Sequence, residues 1–122
     1  APPAMIDSLP ARNGAMFNAR HHSVSCRVEC YPLCSVEWYR NGQLIDSANE
    51  NYVIKNSVHP EEFLLNRFVS VVSTLIWNMT KLAPLDRQAD NANYSCVSTA
   101  NVAGPSVSST MQFFVECEFI KL

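Results

Sequence analysis

Across residues 21–31 the chain alternates, with Val24, Cys26, Val28 and Cys30 on one side and Ser23, Ser25, Arg27 and Glu29 on the other. A repeat of two is the period of an extended strand, so the first set is expected to face a core. The same alternation returns in Val36 and Trp38, in Leu75, Trp77 and Met79, in Tyr94, Cys96 and Ser98, and in Met111, Phe113 and Val115. Strong turn residues stand between these runs: Pro32, Asn41-Gly42, His59-Pro60-Glu61-Glu62, Pro84 and Gly104-Pro105. Asn41-Gly42 carries the clearest hairpin signal, because both turn positions need positive φ. Asn13-Gly14 reads as another turn. Strands are expected over residues 35–40, 43–46, 51–58, 68–79, 92–100 and 107–116, with a loop or one helical turn over 81–91. Pro2, Pro3 and Pro10 make the N-terminal segment an edge strand or an extended arm. About seven to nine strands leave no room for a helical layer, and two stacked sheets bury such faces best.

The chain has 122 residues, 48% of them hydrophobic and 16% charged. That composition belongs to a globular chain with one real core rather than to a disordered one. A net charge of −2 gives no basic excess for nucleic acid. The apolar runs are far too short for a membrane span. No charged-then-apolar leader opens the sequence, so any signal peptide is expected to have been removed. Five cysteines, at 26, 30, 34, 96 and 117, point to an oxidising compartment. Asn78-Met79-Thr80 and Asn93-Tyr94-Ser95 are glycosylation sequons, and together with the cysteines they make an extracellular location the expectation.

Cys26, Trp38, Asp90, Tyr94 and Cys96 stand in one order: a cysteine, a tryptophan on the next strand, then Asp-x-x-x-Tyr-x-Cys. This resembles the immunoglobulin superfamily, in particular the extracellular domains of adhesion molecules and receptors. Trp38-Tyr39-Arg40-Asn41-Gly42 and Asn93-Tyr94-Ser95-Cys96-Val97 carry the same likeness. The resemblance implies an all-β, antiparallel Greek-key sandwich of variable or intermediate set, formed by residues 1–116. Residues 117–122 would then be a tail or a linker to a following domain. It further implies a Cys26–Cys96 disulfide between the sheets and a core of Trp38, Leu75, Trp77 and Tyr94. The Tyr94 hydroxyl would bond a backbone group at the corner before its strand.

Cys30 and Cys34 flank Pro32 and are expected to close a short bridge; two buried free thiols are the alternative. A zinc site with His21 and His22 is disfavoured, because adjacent strand residues point to opposite faces, and no metal or other cofactor is expected. Cys117 is left unpaired or free to bond another chain. With three glycines there is no phosphate loop, and no catalytic motif is present, so no enzymatic activity is expected. The resemblance instead implies a protein-binding module, with a homophilic or a different partner and a homodimer as one form. Parity puts Glu37, Tyr39, Val97, Thr99, Gln112 and Phe114 on one outward face, where Tyr39, Val97 and Phe114 would form an apolar strip. Other readings of the same fold are a spacer domain in a filament or matrix protein, and a soluble secreted immune protein.

Overall fold

A computed structural model describes residues 1–116. The expectations for Cys117 and for a tail over 117–122 lie outside them. Nine strands follow in order: β1 Ala4–Asp7, β2 Arg12–Met16, β3 Ser23–Glu29, β4 Val36–Arg40, β5 Gln43–Leu44, β6 Tyr52–His59, β7 Ser70–Trp77, β8 Ala92–Ser98 and β9 Ser108–Glu116. Between β7 and β8 lie two helical turns, α1 Met79–Leu82 and α2 Arg87–Asp90. One sheet has the order β1-β3-β7-β6, the other β2-β9-β8-β4-β5. This is an immunoglobulin-like sandwich. Among the described residues no strand lies beyond β5 in the second sheet, which places the domain between the constant and variable arrangements.

The two sheets are not purely antiparallel. β2 runs parallel to β9, with Arg12 opposite Gln112 and Met16 opposite Glu116. The cause lies in the segment after β1, which is antiparallel to β3 at the edge of the first sheet. The chain keeps its direction past Pro10, buries Leu9 and meets the far edge of the second sheet, where the Leu9 N–H donates to Ser109 Oγ at 2.9 Å. Asn13-Gly14 is therefore strand, not the turn its dipeptide suggests. A Cβ on Gly14 would lie 2.9 Å from Phe114 Cε2, so glycine serves close packing there. At Asn41-Gly42 the hairpin is present, with φ of 50° and 81°.

Cys26 on β3 and Cys96 on β8 join the sheets as a disulfide with Cα atoms 6.6 Å apart. Trp38 on β4 is wholly buried, and its indole Nε1 donates to Ser73 Oγ on β7 at 2.8 Å, which satisfies two buried polar groups at once. Val28, Leu75, Met111 and Phe113 fill the same layer. Each large apolar side chain buried this completely contributes on the order of 1.5–3 kcal/mol. Towards the far end, Trp77 meets Tyr94 at 4.9 Å, Phe113 at 5.0 Å and His22 at 4.7 Å between ring centroids.

Tyr94 departs from the expected corner bond. Its hydroxyl pairs with the Tyr52 hydroxyl at 2.6 Å and accepts from Arg40 Nε at 3.3 Å. Arg40 then donates to the Ala89 carbonyl at 2.6 Å, so the corner is tied through a guanidinium rather than by the tyrosine itself. Burial, and then the bond to Tyr94, push the Tyr52 phenol well above its ordinary range.

His22 gives the fold a pH dependence. Its Nε2–H donates to Asn13 Oδ1 at 2.7 Å, and its ring lies half-buried against Trp77 and Phe113. Burial lowers its pKa from the ordinary 6.5. The folded state thus prefers the neutral ring, while the unfolded chain takes up a proton near 6.5. Its stabilising contribution is full above that pH and is lost as pH falls towards the lowered folded value. The melting temperature of the native chain is therefore expected to fall, relative to His22→Gln, as pH drops from about 6.5 towards that lowered value. Parallel melting curves for the two proteins would contradict this.

Candidate recognition surface

Three loops gather at one pole because three strands end there together. Register pairs Glu29 with Ser70 and His59 with Ser70 in one sheet, and Val36 with Ser98 in the other. The loops over 30–35, 60–69 and 99–107 are bonded to one another. Cys30 N–H donates to the Val69 carbonyl at 3.2 Å, Ser35 N–H to Thr99 Oγ1 at 3.0 Å, and Asn101 Nδ2 to the Pro32 carbonyl at 3.0 Å. Within the last loop, Asn101 Oδ1 also accepts from the N–H groups of Ala103 and Gly104, which closes that turn.

Cys30 and Cys34 form the short bridge, with Cα atoms 6.2 Å apart. Both cysteines are buried, while Tyr31 and Leu33 between them are exposed. The bridge thus holds two apolar side chains out to solvent. His21 is exposed and His22 turns inward, as adjacent strand positions must, and the described residues contain no cluster of three or more His, Cys, Asp or Glu fit to hold a metal ion.

The loop over 60–69 carries the largest group of exposed apolar residues at the pole, where the loop over 99–107 adds only Val102. Phe63, Leu64 and Leu65 make a single 3₁₀ turn, in which Phe63 is 83% and Leu64 102% exposed. The tip is closed beneath them, because Glu62 and Arg67 exchange both backbone hydrogen bonds, at 2.9 and 3.0 Å. Asn66 supplies the left-handed residue that ends the turn, at φ 56°. Glu62 reaches Arg27 on β3 at 3.9 Å, and the Phe68 N–H donates to Glu29 Oε2 at 3.2 Å. Beside the tip, Tyr31, Leu33, Pro60, Glu61, Phe68 and Val69 line a groove of about 520 Å³.

The outward face of the five-stranded sheet looks different. Glu37, Thr99 and Gln112 are exposed; Tyr39, Val97 and Phe114 are half-buried. Val97 lies opposite Ser108 and Phe114 opposite Gly14. That places them roughly 20 Å apart along the strands. Tyr39 shares the row of Ser95 and Thr110, whose hydroxyls bond at 2.8 Å, and Asn93 and Gln112 fill the row between it and Phe114. The expected apolar strip is therefore interrupted, because alternation fixes the side of a sheet but not the position along it. Arg12 also lies over Phe114, its Cζ 5.1 Å from the ring centroid.

The sequons sit away from the loop pole. Asn93 projects from that sheet face beside Gln112. Asn78 caps α1 at the opposite pole: its Oδ1 accepts from Thr80 N–H at 3.2 Å, and its Nδ2 donates to the Glu50 carbonyl at 2.9 Å. Strand parity does not point to the apolar tip. Its signal was there, as three consecutive apolar residues directly after a charged turn, with no alternation to bury them.

No family model matches the chain, and no curated protein matches it in sequence. Solved structures do match in fold. The N-terminal Ig1-2 module of the Drosophila receptor protein tyrosine phosphatase DLAR aligns with 97% of this chain at 22% identity and a TM-score of 0.65. The titin I-band fragment I67-I69 aligns with 95% at 21% identity and a TM-score of 0.67. A chain of the complex of Dpr2 Ig1-Ig2 with DIP-Theta Ig1-Ig3 aligns with 95% at 19% identity and a TM-score of 0.66. This chain spans 50% of the DLAR chain and 33% of each of the other two.

Proposed function

We propose that this immunoglobulin-fold chain is a non-enzymatic, extracellular recognition module that binds a protein partner through the pole built from its three bonded loops. The observation that carries this reading is the tethered Phe63-Leu64-Leu65 tip, which holds apolar side chains in water beside an apolar groove. Contiguous exposed apolar surface on a soluble domain marks an interface. Because the tip and the bridged loop are already ordered, little conformational entropy is lost when a partner docks. Two disulfides suit an oxidising, extracellular setting better than the interior of a filament. The complex of Dpr2 with DIP-Theta is a neighbour in fold that binds protein, whereas titin is a neighbour that suits the spacer reading.

The sheet face remains a second surface of this module at its upper end, where exposed Glu37 and Thr99 with half-buried Val97 adjoin the loops. A glycan on Asn93 would cover its lower end near Gln112 and Phe114 but leave the loop pole open.

The test is binding of the tetramerised, glycosylated domain to a panel of cells. Leu64→Asp is expected to weaken binding at least tenfold, in keeping with loss of an apolar anchor. Phe114→Asp and Tyr39→Asp are expected to change it little. Loss of binding in the face variants with none in Leu64→Asp would move the site to the sheet.

A further inference from the structure

We infer that the partner of this pole is a second copy of the same chain, with the Phe63-Leu64-Leu65 tip of each copy seated in the groove of the other. The inference rests on the recognition reading above and adds the identity of the occupant. Three features of the pole carry it.

Knob and socket lie side by side on one surface. Glu61 and Phe68 line both the groove under Tyr31 and Leu33 and the hollow beside Phe63. A twofold axis through that shared wall places each tip over the other copy's groove, an isologous contact that closes at two.

The charges around it are also self-complementary. Glu62 is spent on Arg27, but among the described residues Glu61 and Arg67 make no ion pair, although both are exposed. Glu61 lines the groove, and Arg67 stands at the base of the tip. Seating the tip of one copy in the groove of the other brings Arg67 of each to Glu61 of its mate. A partner of a single charge sign would satisfy one residue and repel the other.

The area is sufficient as well. Phe63, Leu64, Leu65, Phe68, Tyr31 and Leu33 are all exposed. With about 150–250 Å² per aromatic side chain, the cluster offers on the order of 600 Å² of apolar surface. That equals the largest patches of ordinary monomers, and with its polar rim it reaches the roughly 800 Å² per partner of a standard interface.

Sedimentation of the disulfide-bonded chain from about 1 μM to about 500 μM tests the pairing. The native chain is expected to move from monomer to dimer without higher species. Leu64→Asp, at a position wholly in solvent and so harmless to folding, should stay monomeric. Glu61→Arg and Arg67→Glu should each weaken the dimer about fivefold or more, and the double variant Glu61→Arg/Arg67→Glu should restore it. A native chain that stays monomeric throughout, assembly beyond two, or a double variant no better than the singles overturns the inference. Cell binding that depends on Leu64 in a chain that never dimerises would retain the recognition reading and reject this one. Binding of the tip to phosphatidylcholine vesicles by a monomeric chain would assign it to lipid instead.

Discussion

Replacing Cys26 and Cys96 together by alanine is expected to lower the free energy of unfolding by about 4 kcal/mol, the chain-entropy value for a loop of this length. The two cysteines are 70 residues apart in sequence. Without the bond the unfolded chain regains the freedom of that loop, and the folded state loses two wholly buried sulfurs beside Trp38. Since a domain of this size is stabilised by only about 5–15 kcal/mol, much of its margin goes with one bond. The matching change at Cys30 and Cys34, only four residues apart, should cost about 2 kcal/mol. Urea denaturation of both pairs of variants checks the order. Equal losses, or a larger loss at the short bridge, would mean that loop closure is not what these bonds supply.

Phe113→Ala is expected to cost about 3–5 kcal/mol, while Phe114→Ala one residue away should cost under about 1.5 kcal/mol. Phe113 is wholly buried among Trp77, Tyr94 and His22, at 5.0, 5.9 and 5.1 Å between centroids, so truncation opens a cavity that three rings surround. Phe114 points the other way, half-buried under Arg12. Thermal or chemical denaturation of the two variants reads the difference directly. Similar costs would refute the register of β9 against β8.

Much of the sandwich is legible in the sequence because a strand announces itself by parity. Val24, Cys26 and Val28, or Met111, Phe113 and Val115, can be assigned to a buried side with no structure in hand. Bonds that join residues far apart in the chain are less accessible. Nothing in the order of the residues says that Arg40 reaches Ala89, or that Tyr52 is the partner of Tyr94. Asn13-Gly14 misleads for a related reason: the glycine answers to Phe114, a hundred residues on, and not to its own backbone. The apolar tip over 63–65 carries no such mark, because its three apolar residues do not alternate. Its meaning rests on exposure, and exposure belongs to the folded molecule.

The parallel pairing of β2 with β9 has a mechanical meaning. If the chain is drawn apart at residues 1 and 116, β2 is pulled backwards along its own axis and β9 forwards along the same line. All the hydrogen bonds between Arg12–Met16 and their partners on β9 then bear load together, in shear, instead of opening one after another as in a peeled hairpin. Once that clamp slips, the Cys26–Cys96 bond stops the extension. Only the residues before Cys26 and after Cys96 can pay out, at most about 3.3–3.6 Å each, while the chain between the two cysteines, Trp38 included, bears no load. A module of this design would yield a short, fixed length under tension, giving up its loop over 99–107 while those over 30–35 and 60–69 stay within the covalent loop.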